Sequence, residues 1–253
     1  MKIIINADDY GFNKSCTDAI CEAFSKRLIT DTTMMANTDA FDYAVKRMKE
    51  ENLNGKIGVH FNLTEGVPLT EGIKKIHAFV EDGVFRCKLR KFRFKPLSKT
   101  EKRYVYEELT AQIERIEKSG IQVSHADSHH HVHVAAFFVT PIVLQVCKEH
   151  GIDKIRLYRN YGDMPFTKSI LKNRINSKLI RSGFKTTKYF GSFNDIEKYG
   201  LKDGLEIMTH PDFDSSGILI DRADVENGQP FGKPLADLLS QLQNETLISY
   251  GEL

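Results

Sequence analysis

Residues 1–27 read MKIIINADDYGFNKSCTDAICEAFSKR. Ile3–Asn6 is a short β-rich run with no charge inside it, as expected of a buried strand. From Ser15 to Lys26 apolar residues recur at helical spacing, so a helix is expected there. Between the two sits Asp8-Asp9-Tyr10-Gly11. Strand, polar turn and helix make one β/α unit, and the alternation repeats along all 253 residues. Further strands are expected at Asp31–Met35, Ile57–Phe61, Gln122–Ala126, Lys154–Leu157, Thr187–Phe190, Glu206–Thr209 and Thr246–Ser249. Helices are expected near Ala40–Glu50, Glu101–Lys118, Phe137–Glu149, Lys168–Arg181 and Leu235–Gln243. Such alternation implies a mostly parallel sheet with helices outside. The expected fold is α/β, a single-domain (β/α) barrel of about seven to eight mostly parallel strands spanning 1–253. An insertion near 63–102 interrupts it, and irregular stretches of that length often carry function.

Hydrophobic residues make up 41% and charged residues 28%, with Lys+Arg 36 against Asp+Glu 34. That is the composition of an ordinary globular chain, and its near-neutral charge gives no general attraction to nucleic acid. No apolar run reaches the roughly 18 residues of a membrane span. Met1–Phe12 lacks the apolar core of about 7–15 residues that a signal peptide needs, so a cytoplasmic location is expected. Cys16, Cys21, Cys87 and Cys147 show no CxxC spacing and read as reduced thiols. Lys88, Arg90, Lys91, Arg93 and Lys95 read as a solvated basic face. Nucleotide-phosphate loops and the GxSxG elbow are absent.

Barrel enzymes carry their chemistry just past the C-terminal ends of strands. Here Asp8 and Asp9 follow the first strand, His60 ends the third, Asp127 and His129 follow the fourth, and His210 follows the seventh. An adjacent aspartate pair either caps the next helix or shares a cation, one as ligand and one as base. Five of the nine histidines fall between His125 and His133, a density that points to a metal. Imidazole suits zinc, while a carboxylate in the same set also admits magnesium or manganese. An open catalytic site uses about three protein groups, so the other histidines orient ligands, touch substrate or point away. His60 alone would read as a core residue; its place at a strand end favours the site. His210, before Pro211, fits either a structural loop or the site, and His77 and His150, on helical or loop segments, read as having no part in it. Two carboxylates, imidazoles and a separate histidine around one mouth fit metal-assisted hydrolysis: a cation polarises a carbonyl, a carboxylate takes a proton from water, a histidine gives one to the leaving group.

Four stretches carry a resemblance: Asn6-Ala7-Asp8-Asp9-Tyr10-Gly11, Gly58-Val59-His60-Phe61-Asn62-Leu63-Thr64, His125 to His133 (HADSHHHVH), and Glu206-Ile207-Met208-Thr209-His210-Pro211. In order and content the sequence resembles the YdjC-like carbohydrate deacetylase family, which includes chitooligosaccharide deacetylases. The resemblance implies a distorted β/α barrel, often a homodimer, that removes acetyl groups from N-acetylated sugars with one divalent metal ion, Mg or Zn. It implies Asp9, His60 and His129 as metal ligands, Asp8 as general base and His210 as general acid. Asp127 would steer a ligand imidazole, and His125, His131 and His133 would be cleft or supporting residues. Arg156 would hold polar groups of the substrate or pair with a carboxylate. After His210-Pro211 the family often has glycine and an aromatic, whereas this chain has Asp212-Phe213, a departure that bears on the choice of sugar. Other readings of the same residues are a metal-dependent phosphoesterase, another amide hydrolase, or a non-catalytic sugar-binding protein.

Overall fold

The structure is a computed structural model that describes residues 1–86, 92–222, 234–240, 242 and 244–253. Cys87, Lys88, Arg90 and Lys91 lie outside the described residues. The order of elements is β1 (Lys2–Tyr10), α1 (Lys14–Ser25), β2 (Asp31–Met34), α2 (Phe41–Glu50), β3 (Ile57–Phe61), β4 (Val80–Glu81), β5 (Val84–Phe85), α3 (Lys99–Lys118), β6 (Ala126–Ser128), α4 (Val132–Ala135) and α5 (Thr140–Glu149). There follow α6 (Phe166–Arg181), β7 (Tyr189–Ser192), α7 (Phe193–Tyr199), β8 (Leu205–Thr209), β9 (Pro211–Phe213), β10 (Leu219–Asp221), α8 (Leu235–Ser240) and β11 (Thr246–Leu247).

Among the described residues the main sheet has seven strands, in the order β6-β3-β2-β1-β8-β7, with β11 beside the start of β1. Every pairing in it is parallel. The sheet curls into a half-barrel with helices outside, the distorted barrel expected from the sequence. Two strands lie later than expected, β6 at Ala126–Ser128 rather than Gln122–Ala126 and β7 at Tyr189–Ser192 rather than Thr187–Phe190, and a third is not a regular strand. Lys154–Leu157 forms only single bridges, Ala126↔Ile155 and Lys154↔Lys185, so the sector between β6 and β7 stays irregular. Just past it, the Asn176 side chain donates to the carbonyl of Tyr158 and accepts its N–H, at 2.9 and 2.8 Å. There an amide from α6, rather than a neighbouring strand, satisfies the backbone groups. The insertion carries a 3-10 turn (Ile73–Lys75) and the β4–β5 hairpin. In the basic run, Arg93 donates to Tyr158 Oη and Lys95 to Glu101, so both make local partnerships. Among the described residues no single helix is long and apolar enough to cross a membrane.

Strand alternation separates two interiors. Ile3, Ile5 and Ala7 of β1, with Val59, Phe61, Leu205 and Ile207, join the large apolar cluster beneath the helices. Each of these buried Ile, Val, Leu and Phe side chains contributes about 1.5–3 kcal/mol. α1 joins this layer through Cys16, Ala19, Ile20 and Ala23, and begins at Asn13, whose side chain accepts the Cys16 N–H. The opposite face of the sheet is different. A small plug of Ile4, Ile248 and Tyr250 closes one end. Beyond it the barrel interior is polar: Asn6, Asp8, Thr33, His60, His125, Asp127, Arg156 and Glu206 are all buried. Gly58 belongs to this packing, because a Cβ there would lie 2.7 Å from the His125 ring and carbonyl.

Asp31 starts β2 within this polar interior, accepting the Tyr250 N–H on Oδ1 while Oδ2 has no hydrogen-bond partner among the described residues. Burial raises its carboxyl from the ordinary 3.8 to about 7. A folded-state value above the unfolded one means that stability is fully present below about pH 4 and falls as pH rises towards 7. Asp31→Asn removes that loss. Its melting temperature should exceed that of the wild type by a margin that grows from pH 5 to pH 8; a margin independent of pH would contradict this account.

Candidate active site

Regular alternation would point Asp8 and Asp9 to opposite faces of β1. The strand avoids this with an irregularity: its register with β2 shifts between Ala7 and Tyr10, and Asp9 sits at φ 70°. Both carboxylates therefore line one cleft at the C-terminal end of the sheet. His130 and His131 also lie at positive φ, 52° and 56°, in the short turn after β6. Left-handed backbone at non-glycine residues costs about 1–3 kcal/mol each and persists where the surroundings over-determine it.

Three donor groups converge on the floor of the cleft. Asp9 Oδ1 lies 2.8 Å from His129 Nδ1 and 3.2 Å from His60 Nε2. His60 is held from behind, its Nδ1 2.6 Å from Asp127 Oδ1 and 3.0 Å from Thr33 Oγ1. Burial alone would push the His60 pKa down, but Asp127, Asp9 and Asp8 outweigh it and raise it to about 10. His129 behaves alike: burial opposes the charge, Asp9 wins, and the pKa rises to about 9. Asp9 itself, also opposed by burial, is held well below the usual carboxylate range by His129 and His60. The cluster thus calls for positive charge, which a divalent ion could supply in place of the two ring protons. One carboxylate and two imidazoles are a donor set suited to such an ion. Asp9, His60 and His129 could hold it, since one donor atom from each lies within 4.8 Å of the others. Asp8, His60 and Asp127 are equally close together. There, however, Arg156 Nη1 already stands 2.6 Å from both Asp8 and Asp127, so a cation is built in.

Arg156 is fully buried. It grips Asp8 through two bonds of 2.6 and 2.7 Å and Glu206 through one of 2.7 Å, and it stacks on Phe190. Of its two expected roles the structure shows the pairing with carboxylates; substrate contact does not fit a guanidinium without exposure. Burial would raise the Asp8 pKa, yet Arg156 holds it below the usual range. His210, following β8, brings Nε2 to 3.9 Å from Asp8 Oδ2, and Asp221 Oδ1 accepts its backbone N–H.

The histidine run divides by position. His129, His130 and His131 line the cleft. His125 and His133 do not: His125 stacks on Tyr250 at 3.8 Å and contacts Asn6, while His133 lies between Ser128 Oγ and the Arg156 carbonyl. Both are supporting residues. His150 pairs with Glu117, away from the cleft. Four residues given no role from the sequence also line the cleft. Arg222 donates to Asp9 Oδ2 at 2.6 Å and packs over Phe12, which stacks on His129. Glu65 and His130 stand at the mouth. The cleft has a volume of about 540 Å³, and a groove of about 530 Å³ adjoins it through Phe12, Asn13 and Glu65.

The sequence profile of the YdjC-like proteins matches residues 2–244. The chain belongs to the YdjC-like family. Relatives carrying the name carbohydrate deacetylase include one from Listeria monocytogenes serotype 4b, 33% identical over 216 residues, or 84% of this chain and 82% of that protein. Another, from Oceanobacillus iheyensis, is 31% identical over 220 residues (84% and 86%). A third, from Brevibacillus brevis, is 35% identical over 228 residues (87% and 84%). A crystal structure from Enterococcus faecalis V583, provisionally described as a cellobiose-phosphate cleavage protein, is similar with a TM-score of 0.73. It is 22% identical and covers 99% of this chain and 98% of its own, and so bears on the YdjC-like fold alone.

Removing Arg156 from this YdjC-like site would strand Asp8, Asp127 and Glu206 as buried charges. Arg156→Ala should cost about 3–5 kcal/mol in urea unfolding. A loss below about 1 kcal/mol would mean that the guanidinium is not their counter-charge.

Proposed function

We propose that this protein is a metal-dependent hydrolase that removes the acetyl group from an N-acetylated amino sugar or short N-acetylated oligosaccharide. The observation that carries this reading is the meeting of Asp9 Oδ1, His60 Nε2 and His129 Nδ1 in a cleft that Asp8 and His210 also line. Its relatives' name, carbohydrate deacetylase, supplies the substrate class. The adjoining groove offers room for further sugar units, which favours an oligosaccharide over a single ring.

In this reading Asp9, His60 and His129 hold the ion, magnesium or zinc, which supplies a Lewis acid for the acetyl carbonyl and makes water more acidic. Asp8 accepts the proton of the attacking water. Two bonds from Arg156 fix its carboxylate and keep it ionised. A carboxylate so stabilised is a weak base and serves where the proton it takes has been made acidic. His210 gives a proton to the departing amine nitrogen, held in place by Asp221. His131 stays neutral, because burial and the nearby Arg156 lower its pKa to about 3. Its Nδ1 has no partner among the described residues and is available to a sugar hydroxyl or amide. Asp127 fixes the tautomer of His60, as carboxylates behind ligand imidazoles do. The buried thiols Cys16, Cys21 and Cys147 are unpaired, in keeping with a cytoplasmic enzyme, and the family resemblance points to a homodimer.

Acetate release from N-acetylglucosamine oligomers tests this. Asp8→Asn, with folding checked by circular dichroism, should lose about 10²–10⁴-fold in turnover while retaining bound metal; His60→Gln should lose both. Acetate release that survives thorough chelation, or phosphoester hydrolysis in its place, would overturn the proposal.

A further inference from the structure

His129 presents its two nitrogens to different neighbours. Nδ1 faces Asp9, whereas Nε2 makes no hydrogen bond among the described residues and lies 3.6 Å from Glu65 Oε2. That separation exceeds hydrogen-bond length, and His129 is only 8% exposed. A buried nitrogen without a hydrogen bond costs about 1–3 kcal/mol, and a long ion pair with Glu65 offsets that only in part, so the position favours a ligand that would satisfy it. His130 stands beside it, the ring centroids 4.1 Å apart, with its Nε2 4.0 Å from Glu65 Oε1. Its other nitrogen, Nδ1, meets Thr64 Oγ1 at 3.1 Å, which turns Nε2 towards the glutamate. One donor atom from each of Glu65, His129 and His130 lies within 4.8 Å of the others.

We propose that Glu65, His129 Nε2 and His130 Nε2 form a second, weaker site for a borderline divalent cation such as zinc, and that filling it inhibits the enzyme. The proposal rests on the catalytic role given to Asp9, His60 and His129. Two imidazoles and one carboxylate favour zinc over magnesium or calcium, which prefer all-oxygen sites. Zinc–ligand distances of about 2.0–2.2 Å require Glu65 and His130 to close inward. Both are about half exposed, which leaves room for that movement. Affinity is lower than at the first site because two of its three ligands must be ordered. In addition His129, already bound through Nδ1, must release the proton on Nε2 to solvent as the second zinc–nitrogen bond forms. Glu65 lines both the cleft and the adjoining groove, so an ion there stands where a sugar chain would cross.

Metal-free protein titrated with zinc chloride, followed by calorimetry and by elemental analysis after dialysis against fixed free zinc, tests this. The wild type should bind two zinc ions per chain, the second at least about 10-fold more weakly, as loss of a supporting ligand typically costs 10–100-fold. His130→Ala and, independently, Glu65→Gln should bind one. Acetate release should rise as the first zinc binds and fall as the second does, and in both variants the fall should move to about 10-fold higher zinc or vanish. A wild type that stops at one zinc, or variants that bind a second zinc as tightly as the wild type does, would overturn the second site and leave the catalytic reading intact. Absence of any tightly bound divalent ion would instead overturn the catalytic reading, and this proposal with it.

Discussion

Asp8, Asp127 and Glu206 are buried around a single guanidinium, Arg156, at the centre of the barrel. Unit charges at 4 Å interact by about 4 kcal/mol at the effective dielectric of a protein, so none of these carboxylates could stay ionised and unpaired. Arg156 meets the charge of all three at once, but one positive charge cannot balance three negative ones. The excess passes outward through Asp127 to His60, then to Asp9 and His129. What reads as a catalytic cleft is the open end of a buried electrostatic chain. Its far end is where positive charge is still wanted.

That demand explains why backbone strain is tolerated here. Without the left-handed residue Asp9, the two aspartates would face opposite sides of the sheet, one against Arg156 and the other against the apolar layer beneath α1. The turn after β6 likewise uses two left-handed histidines to bring His129, His130 and His131 to the cleft in succession. Arg222 on Asp9 Oδ2 adds a further clamp. The conformations are costly, and the charge pairs on either side hold them.

Much of this arrangement was legible in the sequence because chemistry and strand phase coincide. Asp9, His60 and His129 each sit at the C-terminal end of a strand, and the parallel order β6-β3-β2-β1 brings those ends side by side. The irregular 154–157 segment was not legible. Its residues have strand-like composition yet pair only at single bridges, and just past them the amide of Asn176, from a distant helix, takes up the backbone of Tyr158. The histidine run was legible as a cluster but not in its division, because His125 and His133 differ from His131 only in which way the backbone turns them. Glu65 directly follows the Gly58–Thr64 stretch, in which only His60 stands out. Arg222 joins Asp9 across 213 positions with no motif around it, so only the folded chain brings it into view.

A polar barrel interior exchanges some apolar burial for fixed geometry. The large apolar cluster lies outside the sheet, under the helices, and leaves the inside free for ionic groups. The central claim is that one cation completes this interior at Asp9, His60 and His129. The most direct measurement is an anomalous difference map from crystals soaked in manganese or zinc. The account predicts a single strongest peak within about 2.0–2.3 Å of donor atoms from all three residues. A peak between Asp8, His60 and Asp127 instead, or none near Asp9, would contradict it.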